Sequence, residues 1–237
     1  MRKILRPTAD MLAPARDEVL EAQGVPPGSV PSERLDALFR EALALYLRLA
    51  APAAMFEDVA HREFAAVFEG EGRNEPEAPL ASIFPSAARL ALFAATIGEE
   101  IGRAIASLFK SGDPALASML DSIASVAADR ASVRLEERFA RHLAASGETV
   151  RGARTLAYSP GYCGWDISGQ ARLFERLKPE AIGIVLGAGY LMRPIKSVSG
   201  VLVSGPAEIH RFEPAYPFCG GCRARACLSR MEEPWRS

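Results

Sequence analysis

Residues 158–170 read Tyr158-Ser159-Pro160-Gly161-Tyr162-Cys163-Gly164-Trp165-Asp166-Ile167-Ser168-Gly169-Gln170. Three glycines and one proline set an unusual backbone path, and Tyr158, Tyr162 and Trp165 are interleaved with them. Ser159-Pro160-Gly161 is a turn sequence. A loop with exposed backbone N–H groups, aromatic faces and a capping carboxylate can hold a small polar ligand. The plainer reading is a turn whose aromatic side chains anchor in the core. Downstream, Asp166 or Ser168 can cap a short helix carrying Leu173, Phe174 and Leu177, and Pro179 prevents its continuation. The apolar run from Ala181 to Leu186 predicts a buried strand. Val198 to Val203 predicts another, ended by Gly205-Pro206.

Upstream the grammar changes. Residues 1–150 are dominated by Ala, Leu, Glu and Arg, whereas 158–227 are rich in Gly, Val, Ser, Pro and Cys. The break falls near Ala157. Ser32 is placed to cap a helix whose apolar positions (Leu35, Leu38, Phe39, Ala42, Leu45, Tyr46) share one face. Ala54–Val59 and Phe64–Phe68 have strand-like content. Residues 86–110 carry a helical pattern through Ala88, Leu90, Leu92, Ile97, Ile101, Ile105 and Leu108. Lys110-Ser111-Gly112-Asp113-Pro114 stops it. A third helix is predicted from about Pro114 to Ala145, charged on one face after Asp129. Residues 24–31 and 70–79 read as surface loops. No internal repeat or low-complexity tract is present.

Composition bounds the class. The chain has 237 residues, 49% apolar and 24% charged, with a net charge of −1. That is an ordinary soluble composition, long enough to bury a core without disulfides. A near-neutral balance gives no electrostatic argument for nucleic acid. The N-terminal MRKILRPTAD lacks the apolar region of a signal peptide. The longest uncharged apolar stretch, Ala181 to Met192, is too short to span a bilayer. A cytoplasmic protein is expected, with no nucleic acid and no membrane partner.

Three motifs invite chemistry. Ile182 to Gly189 (IGIVLGAG) resembles the start of a nucleotide-binding turn, but no third glycine follows in place and Pro194 interrupts the expected helix. His61, His142 and His210 are not at metal-ligand spacing, and His142 is expected to be solvated. Cys219, Cys222 and Cys227 form C-x2-C-x4-C, a spacing whose first pair can share a tetrahedral metal. Arg223, Arg225 and Arg230 nearby would favour thiolate. Cys163 is the remaining cysteine and would be the fourth ligand. The alternatives are a zinc or iron–sulfur site, and reduced, redox-active thiols.

Pro160-Gly161-Tyr162 and Pro194-Ile195-Lys196-Ser197-Val198-Ser199-Gly200 resemble the activation domain of cobalamin-dependent methionine synthase. That domain has an R-x-x-x-G-Y motif followed some 35 residues later by P-x-x-S-V-S-G, and here Tyr162 and Ser197 are 35 positions apart. Leu191-Met192-Arg193-Pro194 is similar to the lead into that second motif. Ala95-Thr96-Ile97-Gly98, and Gly112-Asp113 through Leu120-Asp121, resemble segments of stand-alone relatives. The likeness covers roughly residues 30–230 and is strongest over 158–205.

The resemblance implies an α+β fold, a curved and mainly antiparallel sheet flanked by helices. It implies one domain over 1–237: a helical part at about 30–150, a ligand-loop and sheet part at about 155–210, and a Cys-rich tail at 215–237. It implies S-adenosylmethionine as ligand and reductive methylation of cob(II)alamin as the reaction. The partners would be a corrinoid protein or cobalamin-dependent methyltransferase, and an electron-donating reductase. The implied ligand residues are Tyr158, Ser159, Pro160, Gly161 and Tyr162, with Ser197 and Ser199 lining the site or holding the loop. An acidic partner for the ligand ammonium is implied at Glu136 or Glu137. The family arginine that holds the ligand carboxylate falls on Ala157, and Arg154 could replace it only along a different loop path. Cys219, Cys222, Cys227 and Cys163 would hold an iron–sulfur cluster for the electron, or zinc. The rival reading is a non-enzymatic protein that docks on a corrinoid protein or senses redox state without using S-adenosylmethionine.

Overall fold

The computed structural model describes residues 1–30, 32–148 and 152–211. Its centre is a five-stranded sheet built from both compositional halves of the chain. The strands are β1 (Arg2–Leu5), β2 (Ala53–Val59), β3 (Arg89–Thr96), β4 (Ala153–Tyr158) and β7 (Ser197–Pro206), in the order β1-β2-β3-β7-β4. Every pairing is antiparallel. A short hairpin, β5 (Val185–Leu186) with β6 (Met192–Arg193), stands apart. Eight α-helices complete the α+β architecture among the described residues: α1 (Ala9–Leu12), α2 (Arg16–Ala22), α3 (Glu33–Leu49), α4 (His61–Glu69), α5 (Pro79–Ile83), α6 (Glu99–Ser111), α7 (Pro114–Ala145) and α8 (Gly169–Leu177).

The strand period of two sorts the core into two layers. Ala54, Phe56, Ala91, Phe93, Ala95 and Leu202 face α1, α2, α3, α6 and α7. Met55, Leu90, Leu92, Ala94, Leu156, Tyr158, Val201 and Val203 face α4, α5 and α8. Ser32 caps α3 by accepting from Leu35 N–H at 3.3 Å. Asp113 caps α7 by accepting from Leu116 N–H at 3.1 Å, with Pro114 at the first helical position. Small residues (Ala117, Ala124, Ala127, Ala128, Ala131) on the buried stripe of α7 let its backbone approach the sheet. No helix among the described residues is long and apolar enough to cross a membrane.

Several sequence expectations are corrected. The helix expected over 86–110 divides into β3 and α6. β3 is buried on both faces, so it shows no alternation, and its alanines and leucines mimic a helical pattern. Phe64–Phe68 is not a strand but part of α4, where Phe64, Val67 and Phe68 meet the core at helical spacing. The strand expected over 181–186 shrinks to β5, because left-handed backbone at Lys178 and Gly183 curls Pro179–Ile182 into a 3-10 turn. His142 is half-buried rather than solvated, with Nδ1 3.1 Å from Lys3 Nζ and its ring beside Phe56. The composition break near Ala157, in a chain expected to form one domain, falls inside β4.

Candidate functional site

β4 and β7 bring the two motif runs together. Gly200 of β7 lies under the end of β4, where a Cβ would stand 2.0 Å from the Tyr158 carbonyl oxygen. Gln170 Nε2 donates to Ser199 Oγ at 3.1 Å, and both side chains are buried. The SVSG run is therefore joined to the 158–170 run by one close backbone approach, at Tyr158, and one buried hydrogen bond, at Gln170.

Beyond Tyr158 the chain folds into a compact turn. Tyr162 N–H donates to Ser159 O at 3.2 Å, Trp165 N–H to Tyr162 O at 3.0 Å, and Gly161 N–H to Trp165 O at 2.7 Å. Pro160 is buried, Ser159 half-buried, and Gly161 and Tyr162 are exposed. The Gly161 N–H thus closes the loop instead of reaching outward. Trp165 anchors the turn, edge-on to Phe64 at 5.6 Å between ring centres. Gly164 has φ +72 and packs so closely on Ala78 that a Cβ would come within 2.7 Å. Asp166 Oδ1 accepts from Ser168 N–H at 2.9 Å. The Ser168 hydroxyl lies beside that carboxylate short of full hydrogen-bond geometry. Its pull, then that of the Ser168 N–H, holds the Asp166 carboxyl below its ordinary value.

The acidic candidates separate cleanly. Glu136 is buried on the sheet-facing side of α7, and its Oε1 accepts from Ala157 N–H on β4 at 2.8 Å. Glu137 points away and pairs with Arg134 at 3.0 Å. Glu136 is the carboxylate next to the β4 exit. Ala157 packs on the α7 side of the sheet, whereas Leu156 and Tyr158 face the other side. By strand parity Arg154 shares the Leu156–Tyr158 face, about 10 Å back along the strand. It does not take the place of a side chain at 157.

The two serines make bonds that hold structure. Ser197 Oγ donates to Pro194 O at 2.7 Å, fixing its own turn, and Ser199 is the buried partner of Gln170. Tyr158 is buried too. Its hydroxyl meets His210 Nδ1 at 2.8 Å, and His210 Nε2 lies 3.2 Å from Arg154 O. The carbonyl requires Nε2 to carry the proton, so the tyrosine donates to Nδ1. Burial pushes His210 down to about 4.

This pair predicts a pH dependence. Between pH 6.5 and about 4 the unfolded chain binds a proton on His210 that the folded chain does not. Stability is fully present above that window and falls as pH drops through it, by up to about 3 kcal/mol. Melting curves of wild type and His210→Gln between pH 7 and pH 4.5 check this. The variant is expected to lose less on acidification, and parallel curves would refute the assignment.

Of the cysteine motif, Cys163 is half-buried in the turn and not in a disulfide. Cys219, Cys222 and Cys227 lie outside the described residues. Among the described residues no cluster of three His, Cys, Asp or Glu side chains could hold a metal. A groove of about 630 Å³ lined by Arg6, Thr8, Asp10, Leu47 and Pro52 lies at the β1–β2 side, away from β4. Sequence reasoning missed Asn74, Gln170 and His210. Gln170 ended the quoted run and Ser199 was already a candidate, so the pair itself was within reach.

No protein-family model and no curated protein matches the chain. Among solved structures it is similar to the MetH reactivation domain bound to AdoHcy. The TM-score is 0.59 at 15% sequence identity, over 99% of this chain and 90% of that chain. The chain has the fold of that domain. The likeness extends through the sheet and both helical layers, since nearly the whole chain is aligned. The expected α+β sheet flanked by helices is thereby borne out.

Proposed function

We propose that the protein binds an S-adenosyl ligand at the β4 edge and serves the reactivation of a corrinoid protein or cobalamin-dependent methyltransferase. The observation that carries this reading is the meeting of the two motif runs, through Gly200 against Tyr158 and Gln170 on Ser199, in a chain with the fold of a domain bound to AdoHcy. Bound S-adenosylmethionine supplies an electrophilic sulfonium methyl group, and a corrinoid on the partner, reduced by one electron from a reductase, is the acceptor.

The residues at the β4 exit fit the adenosyl and cationic parts of such a ligand. Tyr162 offers an exposed ring for stacking beside the exposed Gly161. Glu136 is a buried carboxylate next to Ala157. A buried carboxylate is the kind of group that suits an ammonium or sulfonium. Ser197, Ser199 and Gln170 keep β7, α8 and the turn in register. No nucleophile from the chain is needed; its part is to orient the ligand and exclude water. Cys219, Cys222, Cys227 and Cys163 are proposed, from their sequence pattern, to hold a cluster that relays the electron.

The second reading is a protein that docks on a corrinoid partner without using S-adenosylmethionine. Ala157 favours it, because β4 presents no guanidinium on its α7 face. Titration calorimetry decides. Binding of S-adenosylhomocysteine at sub-millimolar affinity, weakened at least about tenfold in Glu136→Ala, is expected. No heat at millimolar ligand would reject the first reading. Iron and acid-labile sulfide in the same anaerobic preparation test the cysteine proposal, and their absence would remove it.

A further inference from the structure

The loop over 70–79, expected to be mere surface, is built into the ligand turn. Glu75 N–H donates to Gly164 O at 2.9 Å. Ala78 packs on Gly164, and Gly70 lies against Gly169. Tyr190 OH donates to Glu71 Oε1 at 2.7 Å, which ties in the β5–β6 hairpin. At the centre stands the half-buried Asn74. Its Oδ1 accepts from Asp166 N–H at 2.9 Å while its Nδ2 donates to Phe68 O at 2.6 Å. The backbone N–H can only donate and the carbonyl only accept, so both ends of the amide are specified. Asn74 thus bridges the last turn of α4 to the segment that follows Trp165, whose ring lies 5.9 Å from that of Phe68.

We propose that Asn74 is a positioning residue for the ligand turn. By fixing the Asp166 amide it holds the 161–165 bonds closed and presents Gly161 and Tyr162 in one conformation. The consequence for ligand affinity rests on the function proposed above; the consequence for the turn does not. Aspartate is the informative replacement, because it keeps an acceptor for Asp166 N–H and loses the donor to Phe68 O.

Hydrogen exchange of the Gly161 and Trp165 amides, which donate to Trp165 O and Tyr162 O rather than to Asn74, gives the direct readout. In Asn74→Ala both are expected to exchange about tenfold faster, while buried amides of α7 are unchanged. In Asn74→Asp they stay within about threefold of wild type. The inference is overturned if the turn amides are unchanged in Asn74→Ala, if α7 loosens equally, or if Asn74→Asp behaves like Asn74→Ala. Should Asn74→Ala not fold, Asn74→Asp decides: turn amides near wild type support the role, and tenfold faster exchange overturns it. Calorimetry with S-adenosylhomocysteine separates the two proposals. A wild type that binds, with affinity about tenfold weaker in Asn74→Ala and restored in Asn74→Asp, supports both. A wild type that gives no heat rejects the function, while exchange still decides the role of Asn74.

Discussion

Gly200→Ala is expected to destabilise the fold by about 3–5 kcal/mol, in the far tail of single substitutions. The added Cβ would stand 2.0 Å from Tyr158 O, 2.9 Å from Tyr158 C and 2.9 Å from a Phe93 ring carbon. Neither backbone neighbour can yield cheaply. Gly200 is paired with Phe93 of β3, and Tyr158 is paired with Val201 and pinned through its hydroxyl to His210. Relief requires peeling the end of β4 from β7, which displaces the exit into the ligand turn. For a chain of this size the melting temperature is expected to fall by roughly 6–20 °C. Gly102→Ala is the control. It sits inside α6, where among the described residues the new methyl meets only Ile195 at 3.6 Å, and is expected to be neutral or to stabilise by up to about 1 kcal/mol. Equal melting temperatures for Gly200→Ala and wild type would show that the two strands are not held as described.

The same glycine explains what was legible in the sequence. Ser197-Val198-Ser199-Gly200 and a Pro-Gly-Tyr turn whose Tyr162 lies 35 positions before Ser197 carried the resemblance, and the fold follows it. Local patterns served well where one face is wet: α3 has the cap and periodicity that its residues display, and α7 runs over the bounds expected of it. They failed where both faces are buried, as in β3, because an element with no solvent side has no period to read. They also failed for interactions that join distant segments. Asn74 is an unremarkable polar residue between turns, and only the packing of α4 against α8 brings it to Asp166. Glu136 and Glu137 could not be told apart by type. A helix turns 100° between them, so one meets β4 and the other meets Arg134 in solvent.

Ala157→Arg is expected to tighten S-adenosylmethionine binding by about tenfold or more, because a guanidinium–carboxylate bond contributes about 1.5–3 kcal/mol. By resemblance to the methionine synthase activation domain, position 157 is that of the arginine that takes the ligand carboxylate. The strand geometry makes the position consequential. Ala157 is half-buried on the α7 side of β4, beside Glu136, whereas Arg154 is on the opposite face. A cation at 157 would therefore stand next to Glu136, where the ammonium and carboxylate of one ligand could be met by opposite charges. The decisive comparison uses two ligands. S-adenosylmethionine carries an amino-acid carboxylate, and 5′-methylthioadenosine is an adenosyl thioether without one. Wild type should favour S-adenosylmethionine by about tenfold, the share proposed for Glu136 through the ligand ammonium. The variant should widen that preference by a further factor of about ten or more. If arginine instead collapses onto Glu136, neither affinity rises, and the carboxylate subsite is not at this edge of β4. If both ligands gain equally, the new side chain acts as general positive charge or stacking surface, and the assignment of position 157 to the ligand carboxylate fails.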